Sequence, residues 1–273
     1  MHNRREVTRA CLTRLDQQGE FGRSTVCIVD DACTDGTRAM LAADFPRVRT
    51  VDGNGSLFWG GGILEGMKYA HAQGAEIFFW LNDDCIPEQG AIGLLVDRAR
   101  ETHGICGGVC YDPADPSVIT YSGELFGHGT LKPAAGEILP VDMINGNLVA
   151  VHRDVVDRIG FIPGDRLPHY GGDSVYSLRA RRAGIPCEVH GSARATNPPN
   201  PYLSRFGIDK PARLVWKEPF RTASILYWPT YWRFLRETFG WQAYLRWPFY
   251  IKRLIGHYLR ARRRQRQQQP LKS

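Results

Sequence analysis

Apolar positions follow two periods along this chain, and the change between them predicts its organisation. Across residues 5–18, Val7, Cys11, Leu12 and Leu15 fall at helical spacing. Residues 24–29 then form a run that ends in Asp30-Asp31 and predicts a buried strand. A turn follows in which Thr34 or Asp35 can cap a helix through Leu41. Residues 47–51 predict a short strand. A glycine-rich loop at 53–62 and a helix through His71 come next. Residues 77–81, Ile-Phe-Phe-Trp-Leu, are unbroken apolar and end in Asn82-Asp83-Asp84. A helix near 88–101 and a strand at 105–111 complete the first half. Strand alternating with helix predicts an α/β fold, a doubly wound, mostly parallel, Rossmann-like sheet.

Beyond Tyr111 the pattern shortens. Runs at 118–122, 138–144 and 148–152 are separated by Gly and Pro, and a brief helix is expected at 153–159. His169-Tyr-Gly-Gly-Asp173 opens a helix over 174–183 that Gly184 stops, and 185–190 reads as a last strand. From Asn197-Pro-Pro-Asn-Pro201 the chain leaves the sheet, so the expected division is 1–204 and a helical extension at 205–273.

Charge sharpens that division. Residues 205–273 carry 16 Lys/Arg and 3 Asp/Glu, a net of +13, whereas residues 1–204 carry 19 and 25, a net of −6. The basic character belongs to the tail and says little about the body's ligand. Five of the seven Trp lie in 214–260, interleaved with Arg and Lys. Such mixtures bind nucleic acid or membrane interfaces; with no nucleic-acid fold in view, a membrane surface is the expected partner. The alternative is packing on the body of the chain with a solvated basic face. The run 260–269 predicts a disordered end. No stretch is apolar enough to span a membrane, the N-terminus is polar, and the seven unevenly spaced cysteines suggest a reducing compartment rather than disulfides or zinc.

Three acidic sites are candidates for chemistry, each with a plainer reading. Asp83 and Asp84 at the end of a buried strand would repel unless a cation lay between them; otherwise they form a turn that caps a helix. Asp30 and Asp31 occupy the same sheet edge and can accept from a nucleobase imide or a ribose hydroxyl, or they serve the turn. Asp173 at a helix start can act as a general base or only as an N-cap. The 53–62 glycines let backbone N–H groups approach a phosphate, without the Lys of a P-loop.

Taken together, Val29-Asp-Asp-Ala-Cys-Thr-Asp-Gly-Thr37, Asn82-Asp-Asp84 and Gly172-Asp-Ser-Val-Tyr-Ser-Leu-Arg-Ala-Arg-Arg-Ala-Gly184 resemble, in order and separation, the motifs of family 2 glycosyltransferases, over roughly residues 2–200. The resemblance implies a GT-A fold and an inverting transfer from a nucleotide sugar. It implies that Asp30, with Asp31 beside it, contacts the base, and that Asn54, Trp59, Gly60 and Gly61 wall the ribose and diphosphate. It makes Asp84 the ligand of Mg²⁺ or Mn²⁺, with Asp83 facing ribose or metal. Asn145, Gly146 and Gly172 would line the acceptor site, and Asp173 would be the catalytic base.

The chain departs from that pattern at Asn82, Gly172 and Val175. It also lacks the histidine usual some two dozen residues after the base, where Arg194-Ala-Thr-Asn197 stands and His190 falls too early. Its opening His2-Asn3-Arg4-Arg5 looks like the loop after a first strand, and a misplaced start is the expectation for that strand. The reaction expected is hexosyl transfer from a UDP- or dTDP-sugar, rhamnosyl included, to a glycan or lipid-linked acceptor in bacterial cell-surface polysaccharide synthesis. The expected location is cytoplasmic, peripheral on the inner membrane face. A nucleotidyltransferase and a catalytically impaired sugar-binding scaffold are the alternatives.

Overall fold

A computed structural model describes residues 1–126, 128–200, 212–221, 224 and 226–268, with the backbone alone for the last four of these. The chain divides into two compact units, Met1–Pro198 and Pro199–Ser273, a few residues before the expected boundary.

In the first unit, α1 (Arg5–Gln17) and α2 (Glu20–Arg23) lead into β1 (Cys27–Asp30), α3 (Thr37–Asp44) and β2 (Arg49–Asp52). Asp35 starts two helices: it accepts from the Arg5 N–H of α1 at 2.9 Å and the Thr37 N–H of α3 at 3.1 Å. Next come α4 (Phe58–Ala72), β3 (Ile77–Leu81), β4 (Ile86–Pro87), α5 (Ala91–Thr102) and β5 (Ile105–Asp112). Short strands follow: β6 (Asp115–Tyr121), β7 (Gly123–Leu125), β8 (Gly129–Thr130), β9 (Ile138–Pro140), β10 (Met143–Ile144) and β11 (Leu148–His152). Then α6 (Arg153–Ile159), α7 (Gly172–Arg182) and β12 (Cys187–Thr196) close the unit.

The main sheet runs β3-β11-β5-β12-β4, with β6 on β5 and β9 on β12. Its strand directions are mixed rather than mostly parallel. β12 is parallel to β5, but β11 runs antiparallel between β3 and β5. The short runs after residue 111 supply the antiparallel partners: β6 pairs with β5, β9 with β12, and β11 with both β3 and β5. β1 and β2 form a separate parallel pair, and Met1 adds one rung beside β1. Its amino group donates to Val29 O at 2.8 Å, and its carbonyl accepts from Asp31 N at 3.0 Å.

The core explains why the middle strands are apolar throughout. All five residues of β11 are buried, because α5 covers one sheet face and α4, α6 and α7 the other. Trp80, Tyr176, Val149, Val151 and Val189 share one cluster; Leu95, Ala99, Cys106 and Ala150 share another. All seven cysteines are free. The strand ends at Asp30 and Leu81 carry acidic residues, and the end of β12 at Thr196 and the start of the antiparallel β11 at Leu148 adjoin Asn197 and Asn147.

The second unit holds α8 (Ala212–Val215), α9 (Trp228–Phe239) and α10 (Ala243–Gln268). Ala212, Val215, Leu226, Tyr250, Leu254 and Ala261 form its core, and the Tyr250 hydroxyl donates to Leu226 O at 2.6 Å. The expected disordered end is corrected: helix continues to Gln268. Arg, Gln and Ala favour helix, and no Gly or Pro intervenes before Pro270. No helix among the described residues is long and apolar enough to cross a membrane.

Candidate active site

The turn closing β3 brings two carboxylates to the sheet edge with a cation already between them. Arg4, in the loop before α1, places one guanidinium nitrogen 2.9 Å from Asp83 Oδ1 and the other 2.7 Å from Asp84 Oδ2. The Thr8 hydroxyl donates to the second Asp83 oxygen at 3.2 Å. Burial pushes the Asp83 carboxyl above its ordinary range; Arg4 opposes that rise and Asp84 adds to it. The acidic turn is therefore a site that requires positive charge.

Asp84 is held from the other side by Asn197, the residue after β12. The Asn197 amide nitrogen donates to Asp84 Oδ1 and to Asp84 O, both at 3.0 Å. Its oxygen accepts from Asn147 Nδ2 at 2.5 Å, which fixes the amide's orientation. Both asparagines are buried. One residue earlier, the Gly146 N–H donates to Asp173 Oδ2 at 2.9 Å. A short hydrogen-bonded path thus joins Asp173 to Asp84 through Gly146, Asn147 and Asn197. The other Asp173 oxygen accepts from Ser174 N at 2.8 Å in the first turn of α7. Burial raises the Asp173 carboxyl, and these two N–H groups only partly offset the rise. Glu124 on β7 is pushed up by burial and, in addition, by the negative charge of Asp173.

The third acidic site splits by role. Asp30, 2 % exposed, accepts from Cys33 N at 2.9 Å and pairs with Arg38 at 2.9 Å. Burial alone would raise its carboxyl, but the hydrogen bonds from Cys33 and Arg38 prevail and hold it below its usual range. Arg38 also pairs with Asp52 at the end of β2. Asp31 instead binds the glycine loop: its oxygens accept from Gly55 N at 2.6 Å and Leu57 N at 2.9 Å. With both oxygens so engaged, Asp31 shapes the loop. Asn54 folds onto the same loop, accepting from Ser56 N at 2.9 Å.

Several expectations need correction. Trp59, Gly60 and Gly61 lie in the first turn of α4, not in the loop, because the helix already begins at Phe58. Gly60 donates its N–H to Pro168 O at 2.6 Å, and a Cβ there would stand 2.5 Å from Leu167 O. Gly61 is buried against Leu57. At both glycines a neighbouring chain segment leaves little or no room for a Cβ. Gly172 is likewise buried against Leu167 and Ile162. Asn145 is tied to Ser122 by a pair of 3.4 Å contacts. Trp59 donates its indole N–H to Asn82 Oδ1 at 2.6 Å, so Asn82 links α4 to the acidic turn rather than weakening it. Gly146 permits this arrangement, since a Cβ there would meet the Trp59 ring at 2.3 Å.

Arg38 and Glu124 escape a reading of motifs. Arg4 lies in the opening loop, Asn147 directly follows Asn145-Gly146, and Asn197 stands some two dozen residues after Asp173, so each of these three had a signal of place though not of role. An aromatic ladder also emerges: Phe58, at a left-handed φ of 54°, stacks on His169 at 5.0 Å, and His169 on Tyr170 at 4.0 Å. A bulky residue in that backbone region marks stored strain, a common feature of binding sites. A second cluster, His103, His152 and Asp154, lies at the far end of β3 and β11, away from the acidic edge. There His152 Nδ1 accepts from Asp154 N at 3.2 Å as the cap of α6, so that lone pair is already used.

With this geometry in place, comparison settles the family. Residues 1–156 match the model of Glycosyl transferase family 2. The chain belongs to that family. It matches no curated protein. Among solved structures, it is similar to the mannosyltransferase PcManGT from Pyrobaculum calidifontis, in complex with GDP-Man and Mn²⁺. The TM-score is 0.54 at 16 % identity, over 94 % of this chain and 71 % of that one. It is also similar to S. aureus TarS, with a TM-score of 0.55 at 13 % identity, over 88 % of this chain and 42 % of that one. GalNAc-T7 with UDP, GalNAc and Mn²⁺ gives 0.50 at 13 % identity, over 63 % and 37 %. The chain thus spans less than half of the latter two. At these identities the likeness shows a GT-A fold, and this family 2 member is a glycosyltransferase.

Proposed function

We propose that this glycosyltransferase moves a hexosyl group from a UDP- or dTDP-sugar to a glycan or lipid-linked acceptor, with inversion and with a divalent metal. Bacterial cell-surface polysaccharide is the product class, dTDP-rhamnose is one donor within the proposal, and the cytoplasmic face of the membrane is the place. The observation that carries the reading is the path linking Asp84, beside the Arg4 guanidinium, to Asp173, a carboxylate with raised basicity.

The residues fit a divalent metal. Carboxylate oxygens suit hard cations such as Mg²⁺ and Mn²⁺, and the slot between Asp83 and Asp84 already accommodates the Arg4 charge. Asp84 would hold the ion, with Asp83 beside it and Asn197 in the third position as the group that orients Asp84. An ion held there by Asp84 would supply positive charge to offset the negative charge of the departing diphosphate. Asp30, backed by Arg38, accepts from the base or ribose. Phe58, His169 and Tyr170 offer flat faces to a sugar. Asp173 takes the proton of the acceptor hydroxyl. That oxygen then bonds to the anomeric carbon as the bond from carbon to diphosphate breaks. One displacement from the opposite face inverts the configuration.

Two outcomes follow. Arg4→Ala empties both carboxylates of their internal cation, so Mn²⁺ binding measured by calorimetry without nucleotide tightens by about fivefold, on the order of 1 kcal/mol. Unchanged affinity would mean that Arg4 and metal do not compete. Asp173 must be ionised to act, and its raised pKa puts the acid limb of kcat/KM above the ordinary carboxylate range. Activity is lost as pH falls through that value. Glu124→Gln removes a neighbouring negative charge, so the limb moves to lower pH; an unmoved limb argues against Asp173 as the base.

The broad test is release of nucleoside diphosphate from a panel of UDP-, GDP- and dTDP-sugars, with Mn²⁺ or EDTA. Turnover of at least one donor, abolished by EDTA, is expected. Release of pyrophosphate from a sugar phosphate and a nucleoside triphosphate would favour a nucleotidyltransferase.

A further inference from the structure

Ten of the fourteen exposed large apolar side chains among the described residues lie in the second unit, and six of them are on α10. That helix has two apolar faces. Ala243, Tyr250 and Leu254 are buried on one. Tyr244, Ile251 and Ile255 each follow a buried position by one residue, about 100° further round, and remain 61 %, 42 % and 42 % exposed. Leu259 extends this second stripe by another turn. A helix needs one apolar stripe to pack; the second one is available for something else.

The charge on α10 selects among occupants. It carries eight Lys/Arg and no Asp/Glu, with Lys252 beside the stripe and Arg262 and Arg263 at its end. Pairing with a second copy would bring two such helices together, and like charges would oppose it. A nucleic acid meets the charge but leaves Ile251, Ile255 and Leu259 with nothing apolar to cover them. An anionic bilayer satisfies both requirements: headgroups meet Arg and Lys, and the acyl boundary takes the aliphatic stripe. Trp241, 71 % exposed, and Tyr244 have the amphipathic rings that settle at the headgroup level. α10 does not span the membrane, so it lies on it.

We propose that α10 docks the protein on anionic lipid through Tyr244, Ile251, Ile255 and Leu259. This deepens the membrane-surface reading of the tail and does not rest on the chemistry of Asp173.

Full-length protein is mixed at low salt with phosphatidylcholine vesicles, with and without phosphatidylglycerol, and floated. Binding to the anionic vesicles exceeds that to the neutral ones by at least about tenfold. Ile251→Glu with Ile255→Glu lowers it by about tenfold or more without changing the melting temperature, since both side chains are exposed. Arg262→Gln with Arg263→Gln also weakens it, and guards against a folding defect in the first variant. Asp173→Asn floats like the parent, which separates docking from catalysis. Three results overturn the proposal: parent protein left unfloated, glutamate variants that float equally well, or capture of single-stranded RNA in place of vesicles.

Discussion

Asp173→Asn lowers kcat by about 10²- to 10⁴-fold, the usual contribution of a positioned base, while the donor dissociation constant stays within a few-fold. The two carboxylate oxygens each hold a backbone N–H, from Gly146 and Ser174. Asparagine keeps one acceptor and turns an amide N–H₂ toward the other donor, so some rearrangement of the α7 start accompanies the loss of the base. Separate measurement of donor binding by calorimetry and of kcat distinguishes the two effects. A variant that still transfers at the parental rate removes Asp173 from the chemistry. One that binds no donor shows that the residue serves the pocket's shape.

Asp84→Ala acts on the leaving group. It removes the main oxygen ligand for a divalent ion and lowers kcat/KM by about 10³-fold, or about 4 kcal/mol. It also strips the buried Asn197 amide of one of its two acceptors, Asp84 Oδ1, while the Asp84 backbone carbonyl remains. A partly unsatisfied buried donor costs about 1–3 kcal/mol, so the melting temperature falls as well. Asp84→Asn separates these effects: its amide oxygen can still accept from Asn197, and stability recovers while metal binding does not. Mn²⁺ binding that persists in both variants would place the metal elsewhere.

Periodicity shows the fold in the first half because strands buried on both faces must be apolar throughout. β3 and β5 lie where their runs predict. Strand direction is not visible in such runs: an apolar stretch fits parallel and antiparallel neighbours alike, and β11 takes the antiparallel course. The acidic residues are legible because charge at the end of a buried strand is costly without a purpose. The residues that position them are not. Asn147 and Asn197 are neutral, fifty positions apart, and meet only because β11 and β12 both flank β5. The glycines are ambiguous for a related reason. A phosphate and a neighbouring backbone both demand the absence of Cβ, and sequence cannot say which is present; at Gly60 it is the 164–168 segment.

The most direct test compares parent, Asp84→Ala and Asp173→Asn in one donor-turnover assay with Mn²⁺ and the best donor of the panel. The acidic edge as a metal-assisted transfer site predicts turnover by the parent, its loss on adding EDTA, and near-background rates in both variants. Parental rates in both variants would contradict it.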